Sequence, residues 1–219
     1  MQSISEENYI KAIYKLNRIT LKGNYVTTND IAKELNTKAS SVTDMLKKLH
    51  QKKIIDYIKY KGVQLTPKGN KIALNIIRKH RLWEYFLVEK LNFNWDEVHD
   101  IAEELEHINS EELINRLDDF LDHPKHDPHG DPIPDKEGNI VHHKDTTLKD
   151  LKKNESGIIV GVKEHSKAFL NFLDINNLGL GKKIKVLNIN TFDNSMEITY
   201  NDMIKTFSNQ VCKNILIKK

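Results

Sequence analysis

The chain has 219 residues, 38% hydrophobic and 30% charged, enough for one large domain or two to three small ones and too apolar for a disordered chain. No apolar run approaches the ~18–20 residues of a membrane span, MQSISEENYIKAIY lacks the basic-then-apolar pattern of a secretion signal, and a lone Cys212 excludes an internal disulfide or a Cys-rich zinc module, so a cytoplasmic protein with no membrane partner is expected. The net charge of +3 hides a basic, acidic, basic division: residues 1–71 carry 14 Lys/Arg against 6 Asp/Glu, residues 72–150 carry 9 against 19, and residues 151–219 carry 11 against 6.

Residues 5–17 read as a helix, with Ser5 as cap, Glu6 and Glu7 in the first turn, and Tyr9, Ile10, Ile13, Tyr14 and Leu16 as its apolar stripe. Thr28 or Asn29 opens a short second helix, Asn36-Thr37 turns the chain, and a third helix runs from about Ala39 to Gln51 with Val42, Met45, Leu46 and Leu49 inward. IIDYIKYKGVQLT then alternates apolar and polar residues around Lys61-Gly62, the pattern of a hairpin. Three helices followed by a hairpin make a winged helix-turn-helix. Thr66-Pro67, a capping Thr with Pro at the first helical position, starts a long helix to about Leu91 through Ile72, Ile76, Ile77, Leu82 and Phe86. Asn94 or Asp96 caps a helix to about Ile108, and Ser110 starts another that ends near Leu121. Residues 123–145 hold four of the five prolines and two glycines and read as a loop or linker. GIIVGV, KKIKVLNI, MEITY and NILIKK are short β-rich runs interrupted by a helix over about 167–176, which spells a small β-barrel with Cys212 buried in its last strand.

In a helix-turn-helix the second helix of the pair enters the major groove. Here that helix begins Ala39-Ser40-Ser41-Val42-Thr43, and small hydroxyl residues in its first turn let the backbone approach phosphate. Ser40, Ser41, Thr43 and Asp44 are expected to project outward, Asp44 either accepting from a cytosine amino group or acting as a local cap. Lys47, Lys48, Lys52, Lys53, Lys59 and Lys61 flank the helix as phosphate contacts, so double-stranded DNA is the expected partner. The plain competitor is a helical bundle with a solvated lysine face.

Eight of the ten histidines lie between His80 and His143. His80 and Glu84 stand four apart on one predicted helix, and His99, Glu103, Glu106 and His107 follow at i, i+4, i+7 and i+8 on the next, along one stripe. Burying four ionisable groups there is costly without a compensating charge, which a divalent cation supplies. Imidazole and carboxylate without thiolate suit Mn2+, Fe2+ or Zn2+ rather than soft copper. The bland alternative is an exposed acidic helix face with incidental histidines.

RKHRLWEYFL at 78–87 and VHDIAEELEHI at 98–108 resemble the metal-site helices of the diphtheria-toxin-repressor family, metal-dependent transcriptional regulators that include iron-dependent and manganese-transport regulators. The resemblance spans nearly the whole chain and implies a mainly α protein with a small β domain. Its expected parts are a winged helix-turn-helix DNA-binding domain over 1–66, a helical metal-binding and dimerisation domain with a Pro/His-rich loop over 67–145, and an SH3-like β-barrel over 146–219. It implies a primary metal site of Asn8, Glu103, Glu106 and His107 and an ancillary site of His80, Glu84 and His99. In a subset of longer members the Pro-His-Gly loop adds primary-site ligands. PKHDPHGDPIP offers His126, Asp127 and His129 for this, of which Asp127 and His129 match best. Otherwise the loop is a solvated linker. The SH3-like domain can donate an ancillary ligand, here Glu164 or His165, with exposed surface residues as the alternative.

Iron-type members carry Cys where Glu103 stands, and replacing sulfur with oxygen favours Mn2+ over Fe2+, with Zn2+ and other divalent ions as occupants in vitro. Two departures stand out. Asn8 replaces the usual Met or Asp, and Lys11 replaces an acid of the manganese-type binuclear site, so that binuclear geometry is not expected. The implied protein is a homodimeric repressor of metal-homeostasis genes on a palindromic operator, the metal joining the first helix to the dimerisation helices and setting two recognition helices ~34 Å apart. Two other readings stand beside it. One is a helix-turn-helix regulator that senses a small organic ligand. The other is a di-metal carboxylate enzyme, prompted by the single Glu104-x-x-His107.

Overall fold

The structure is a computed structural model that describes residues 2–19, 25–58, 61–140 and 146–219. The chain divides into two compact units. One comprises Met1–His80, Glu103–Arg116 and Pro134–Ile140, the other Arg81–Ala102, Leu117–Ile133 and Val141–Lys219.

In the first unit α1 (Ile4–Ile19) begins one residue earlier than its sequence suggests. Ser3, not Ser5, is the cap: its Oγ accepts from the Glu6 N–H at 3.3 Å, and Glu6 Oε2 accepts from the Ser3 N–H at 3.2 Å, a reciprocal capping box. The buried face carries Tyr9, Ile10 and Ile13. Thr27 and Asp30 form a second such box at the start of α2 (Thr28–Glu34). After the turn at Asn36, whose φ is +46°, comes α3 (Ala39–Gln51), burying Val42, Leu46 and Leu49, with Met45 half-buried against the same core. β1 (Ile55–Ile58) and β2 (Gly62–Leu65) pair antiparallel from Ile55↔Leu65 to Ile58↔Gly62, and Val26 adds a bridge to Val63. Gly62 has φ +117°, and a Cβ there would collide with the Val26 carbonyl, so the wing requires glycine. α4 (Pro67–Leu91) starts as expected, with Thr66 Oγ1 accepting from the Gly69 N–H. α4, α5 (Val98–Leu105) and α6 (Glu111–Phe120) each contribute residues to both units.

α5 ends before Glu106 and His107, which stand in the turn that follows it rather than on the expected helical stripe. In the second unit, β3 (Ser156–Val162), β4 (Lys183–Ile189), β5 (Met196–Tyr200), β6 (Met203–Phe207) and β7 (Ile215–Lys218) form an antiparallel sheet in the order β6-β5-β4-β3-β7 among the described residues. α7 (Lys167–Ile175) packs Leu170 and Leu173 into its core, capped by Ser166. Bulges at Ile159/Gly161 and Val186/Asn188 bend the sheet in the small SH3-like form. Cys212 is buried as expected, but in the short helix α8 (Asn209–Cys212) and not in the last strand; burial pushes its thiol up to about 12.

The Pro-rich loop in this unit is tied down. Asp127 Oδ1 accepts from the N–H groups of His129 (2.8 Å) and Asp131 (3.0 Å), and the His129 carbonyl accepts from Val162 N–H at 2.9 Å, fixing the loop to β3. Gly130, at φ +89°, lies so close to the Val160 carbonyl that a Cβ could not fit. The reading of this stretch as a solvated linker is therefore overturned: Asp127 is 4% exposed and His129 1%.

Candidate metal centres and DNA-reading helix

The first cluster of ionisable groups lies in the first unit, where α1 meets the end of α5 and the middle of α4. Glu106 is fully buried. Its Oε2 accepts from Lys11 Nζ at 2.6 Å and lies 2.7 Å from His80 Nδ1. Lys11 Nζ also donates to Glu103 Oε1 at 2.5 Å and sits 3.3 Å from His80 Nδ1. His107 Nδ1 lies 2.6 Å from Glu7 Oε2. Lys79, nearly as buried, feels Glu7 and Glu106; burial holds its ammonium below the usual lysine range against the pull of those two carboxylates. Two oxygens remain unsatisfied. Glu106 Oε1 and Asn8 Oδ1 are buried and meet no hydrogen-bond donor among the described residues. Orphaned acceptors of this kind cost about 1–3 kcal/mol each, more for a charged group, unless something binds them.

The second cluster lies in the second unit. Ligating atoms of Glu84, Asp127 and His129 come within 4.8 Å of one another, and all three residues are buried. His129 Nδ1 is 3.6 Å from Glu84 Oε2 and 4.0 Å from Asp127 Oδ1, while its Nε2–H donates to the Trp95 carbonyl at 2.8 Å. That second hydrogen bond fixes the tautomer, leaving Nδ1 as the atom turned to the carboxylates. Burial raises the Asp127 carboxyl, and Glu84 and Asp131 add to the rise against Arg81 and His129. For His129, burial opposes the charged ring, but Glu84 and Asp127 outweigh it and the ring is held above its ordinary value. His165 stacks on His129 with centroids 4.8 Å apart, its own pKa lowered by burial first and also by His129. His99 approaches Glu84 Oε1 at 3.4 Å from an exposed position. Arg81 closes the far side, with Nη2 on Asp131 at 2.9 Å and Nε 3.4 Å from Asp127 Oδ2.

On α3 the N-cap is Lys38, which makes no side-chain cap, so the first-turn N–H groups face outward without one. Ser40, Ser41, Asp44, Lys47 and Lys48 are exposed. Thr43 is half-buried, and its hydroxyl donates back to the Ala39 carbonyl at 2.9 Å. Asp44 pairs with Lys47 at 3.1 Å along the helix. Lys48 and Lys52 both reach Glu6, at 2.8 and 2.7 Å, and so are engaged by the fold. Lys61 is exposed on the wing. Lys59 lies outside the described residues.

Comparison with known proteins decides the family. Residues 1–63 match the iron-dependent repressor N-terminal DNA-binding domain, residues 66–135 the iron-dependent repressor metal-binding and dimerisation domain, and residues 146–219 the FeoA domain. The HTH-type transcriptional regulator MntR of Oceanobacillus iheyensis is 37% identical over 153 residues, 70% of this chain and 90% of the relative. The chain belongs to the iron-dependent, or diphtheria-toxin, repressor family. Two solved repressor structures agree over the full length. A manganese-dependent transcriptional repressor in complex with manganese superposes with a TM-score of 0.86 at 28% identity, covering 97% of this chain and 98% of that one. The crystal structure of ScaR with bound Zn2+ gives 0.77 at 32% identity, covering 98% and 99%.

As a member of the repressor family the chain is a metal-dependent DNA-binding regulator, not an enzyme, and the di-metal carboxylate reading of Glu104-x-x-His107 falls away. None of its described helices is long and apolar enough to cross a membrane. The structure groups the expected residues differently from the sequence. His80 Nδ1 lies 2.7 Å from Glu106 Oε2 and 3.9 Å from Glu103 Oε1. Within the second unit Asp127 and His129 gather on Glu84, a grouping their spacing in the sequence did not suggest. His165, not Glu164, stacks against this second set; Glu164 accepts a hydrogen bond from the N–H of Ser166. His126 is exposed. Sequence reasoning missed Glu7, Lys79, Arg81 and the Trp95 carbonyl. Arg81 and Lys79 were legible only as the basic neighbours of His80 in RKHR.

Proposed function

We propose that this chain is a Mn2+-activated, homodimeric repressor acting in the cytoplasm on a palindromic operator, with its metal held at both clusters. The observation that carries the reading is that two oxygens of the expected ligand set, Asn8 Oδ1 and Glu106 Oε1, are buried without a hydrogen-bond donor among the described residues. Amide, carboxylate and imidazole donors without thiolate form a hard-to-borderline set that fits Mn2+ or Fe2+. Glu84, Asp127 and His129 form a second such set. Asn8, Glu103, Glu106 and His107 would hold one ion, and Glu84, Asp127 and His129, with His165 beside them, another. The names of the manganese-dependent relatives support Mn2+ as the physiological choice.

When bound, the ion supplies the positive charge that gathered carboxylates need in a buried place. The rest is done by the chain. Asn8 stands on α1 and Glu106 and His107 in the turn after α5, so closing this cluster ties α1, and the winged helix built on it, to the helical segment that follows α4. Glu7 orients the His107 ring, and Trp95 orients His129. Exposed Leu91 and Phe120 support a surface given to self-association. In a dimer the closed clusters fix two copies of α3 about one DNA turn, ~34 Å, apart, and an open chain samples that spacing only part of the time. Equilibrium dialysis against Mn2+ tests the assignment: His107→Ala should lose one ion per chain while remaining a folded dimer. Full occupancy in that variant contradicts it.

A further inference from the structure

Lys11 occupies a position that a cation would otherwise take. Its ammonium touches Glu103 Oε1 and Glu106 Oε2 at 2.5 and 2.6 Å and comes within 3.3 Å of His80 Nδ1. Two carboxylate oxygens and an imidazole nitrogen converging on one positive centre are a metal-type donor set. The opposite oxygen of the same carboxylate, Glu106 Oε1, is buried with no hydrogen-bond donor among the described residues, and Asn8 Oδ1 is in the same condition. The Glu106 carboxylate thus has one oxygen held by an ammonium and one buried without a donor among the described residues.

We propose that Lys11 is a tethered cation that permanently fills the seat of a second ion, so that this cluster holds one divalent ion, on the Asn8–Glu106 Oε1–His107 side, and never a pair. The proposal rests on the reading that this cluster binds metal, and it adds the number of ions and the residue that sets it. Charge argues the same way. Glu7, Glu103 and Glu106 face Lys11 and Lys79, leaving one net negative charge. One divalent ion turns that into one net positive charge. A second would leave three positive charges beside the fully buried Glu106 and the buried Lys79, where uncompensated charge is heavily penalised. Replacing Lys11 with a carboxylate removes one positive charge and adds one negative. Two divalent ions would then leave the same residual charge that a single ion leaves in the parent. The device also explains how His80 and Glu103 are satisfied without metal: the ammonium holds α1 against them on a flexible stem, as a compact point charge.

The test counts ions rather than activity. Full-length parent, Lys11→Glu and Lys11→Arg are loaded with Mn2+, freed of excess by gel filtration and analysed for metal per chain, and the electron paramagnetic resonance spectrum of each is recorded. Lys11→Glu should carry one ion more per chain than the parent and show the broadened spectrum of a spin-coupled Mn2+ pair. Lys11→Arg, which keeps a fixed cation, should match the parent. If Lys11→Glu does not fold, the parent spectrum decides: uncoupled Mn2+ supports the proposal, and a coupled pair overturns it. An unchanged ion count in folded Lys11→Glu overturns it while leaving metal binding intact. A parent that binds no Mn2+ overturns both the proposal and the reading beneath it.

Discussion

His129 turns its Nδ1 to Glu84 Oε2 at 3.6 Å while its Nε2–H is held by the Trp95 carbonyl, so a loop histidine is aimed at a helix carboxylate before any ion arrives. The pair predicts a metal site with a proton cost. Glu84 and Asp127 hold the His129 ring above its ordinary pKa despite burial, and the raised Asp127 carboxyl also retains its proton more readily. Both protons compete with a cation. Mn2+ affinity at this cluster should therefore fall as pH drops from 8 toward 6, and binding should release protons. Calorimetry in buffers of different ionisation enthalpy measures that release; its absence would contradict the site. Asp127→Ala combined with His129→Ala should weaken this binding by at least the ~10–100-fold expected for lesser, outer-sphere losses.

Gly130 places the same loop. Its φ of +89° and its contact with the Val160 carbonyl leave no room for a side chain. Gly130→Ala should push Asp127 and His129 away from Glu84 and lower Mn2+ affinity at that cluster, with the circular dichroism of the helices little changed. Parent-like Mn2+ titration of this variant would show that the loop does not position the site.

Glu6 controls acid stability of the winged helix. Burial alone would raise its carboxyl, but Lys48, Lys52 and the Ser3 N–H hold it down to about 2. Because the folded value is depressed from 4.5, this stabilisation is complete above about pH 5 and is lost as pH falls through about 2. At ~1.4 kcal/mol per unit, the ceiling is roughly 3 kcal/mol. Urea unfolding of parent and Glu6→Gln should differ most above pH 5 and converge toward pH 2. A gap independent of pH would contradict the assignment.

On α3 the lysines divide by what they already touch. Among the described residues Lys47 pairs with Asp44 on an exposed face, so Lys47→Ala should weaken binding to all duplexes about equally and reduce the salt slope by about 1. Lys48 reaches buried Glu6, so Lys48→Ala should also lower thermal stability. Ser41→Ala should change sequence preference or the fit to phosphate. These outcomes separate by DNA titration at several salt concentrations alongside thermal melts.

The helices were legible because each carries an apolar stripe at the 3.6 period and a chemical start signal, as at Thr66-Pro67. Where two hydroxyls compete, the partner three residues on decides: Ser3 has Glu6, and Ser5 does not. β6 was missed although its signal stands in the sequence, since Asn201 and Asp202, at φ +47° and +59°, make the two-residue turn typical of a tight hairpin. The sites were only half legible. Spacing says which side chains share a face of a helix, so His80 and Glu84 were paired. It is silent on what other segments bring to that face: Glu106 comes to His80, and Asp127 and His129 come to Glu84. Burial of the Pro-rich loop was likewise hidden, because its polar composition reads as solvated until Asp127 is seen bonding its own backbone.

The central claim is that metal controls DNA binding, and one titration tests it. A labelled duplex enriched from a random-sequence pool by the Mn2+-loaded chain is titrated with protein and followed by fluorescence anisotropy, first in Mn2+, then with excess chelator, then with Mn2+ restored. The account predicts tight binding in Mn2+, its loss on chelation and its full return. Failure to enrich any duplex, or affinity indifferent to the chelator, would contradict it.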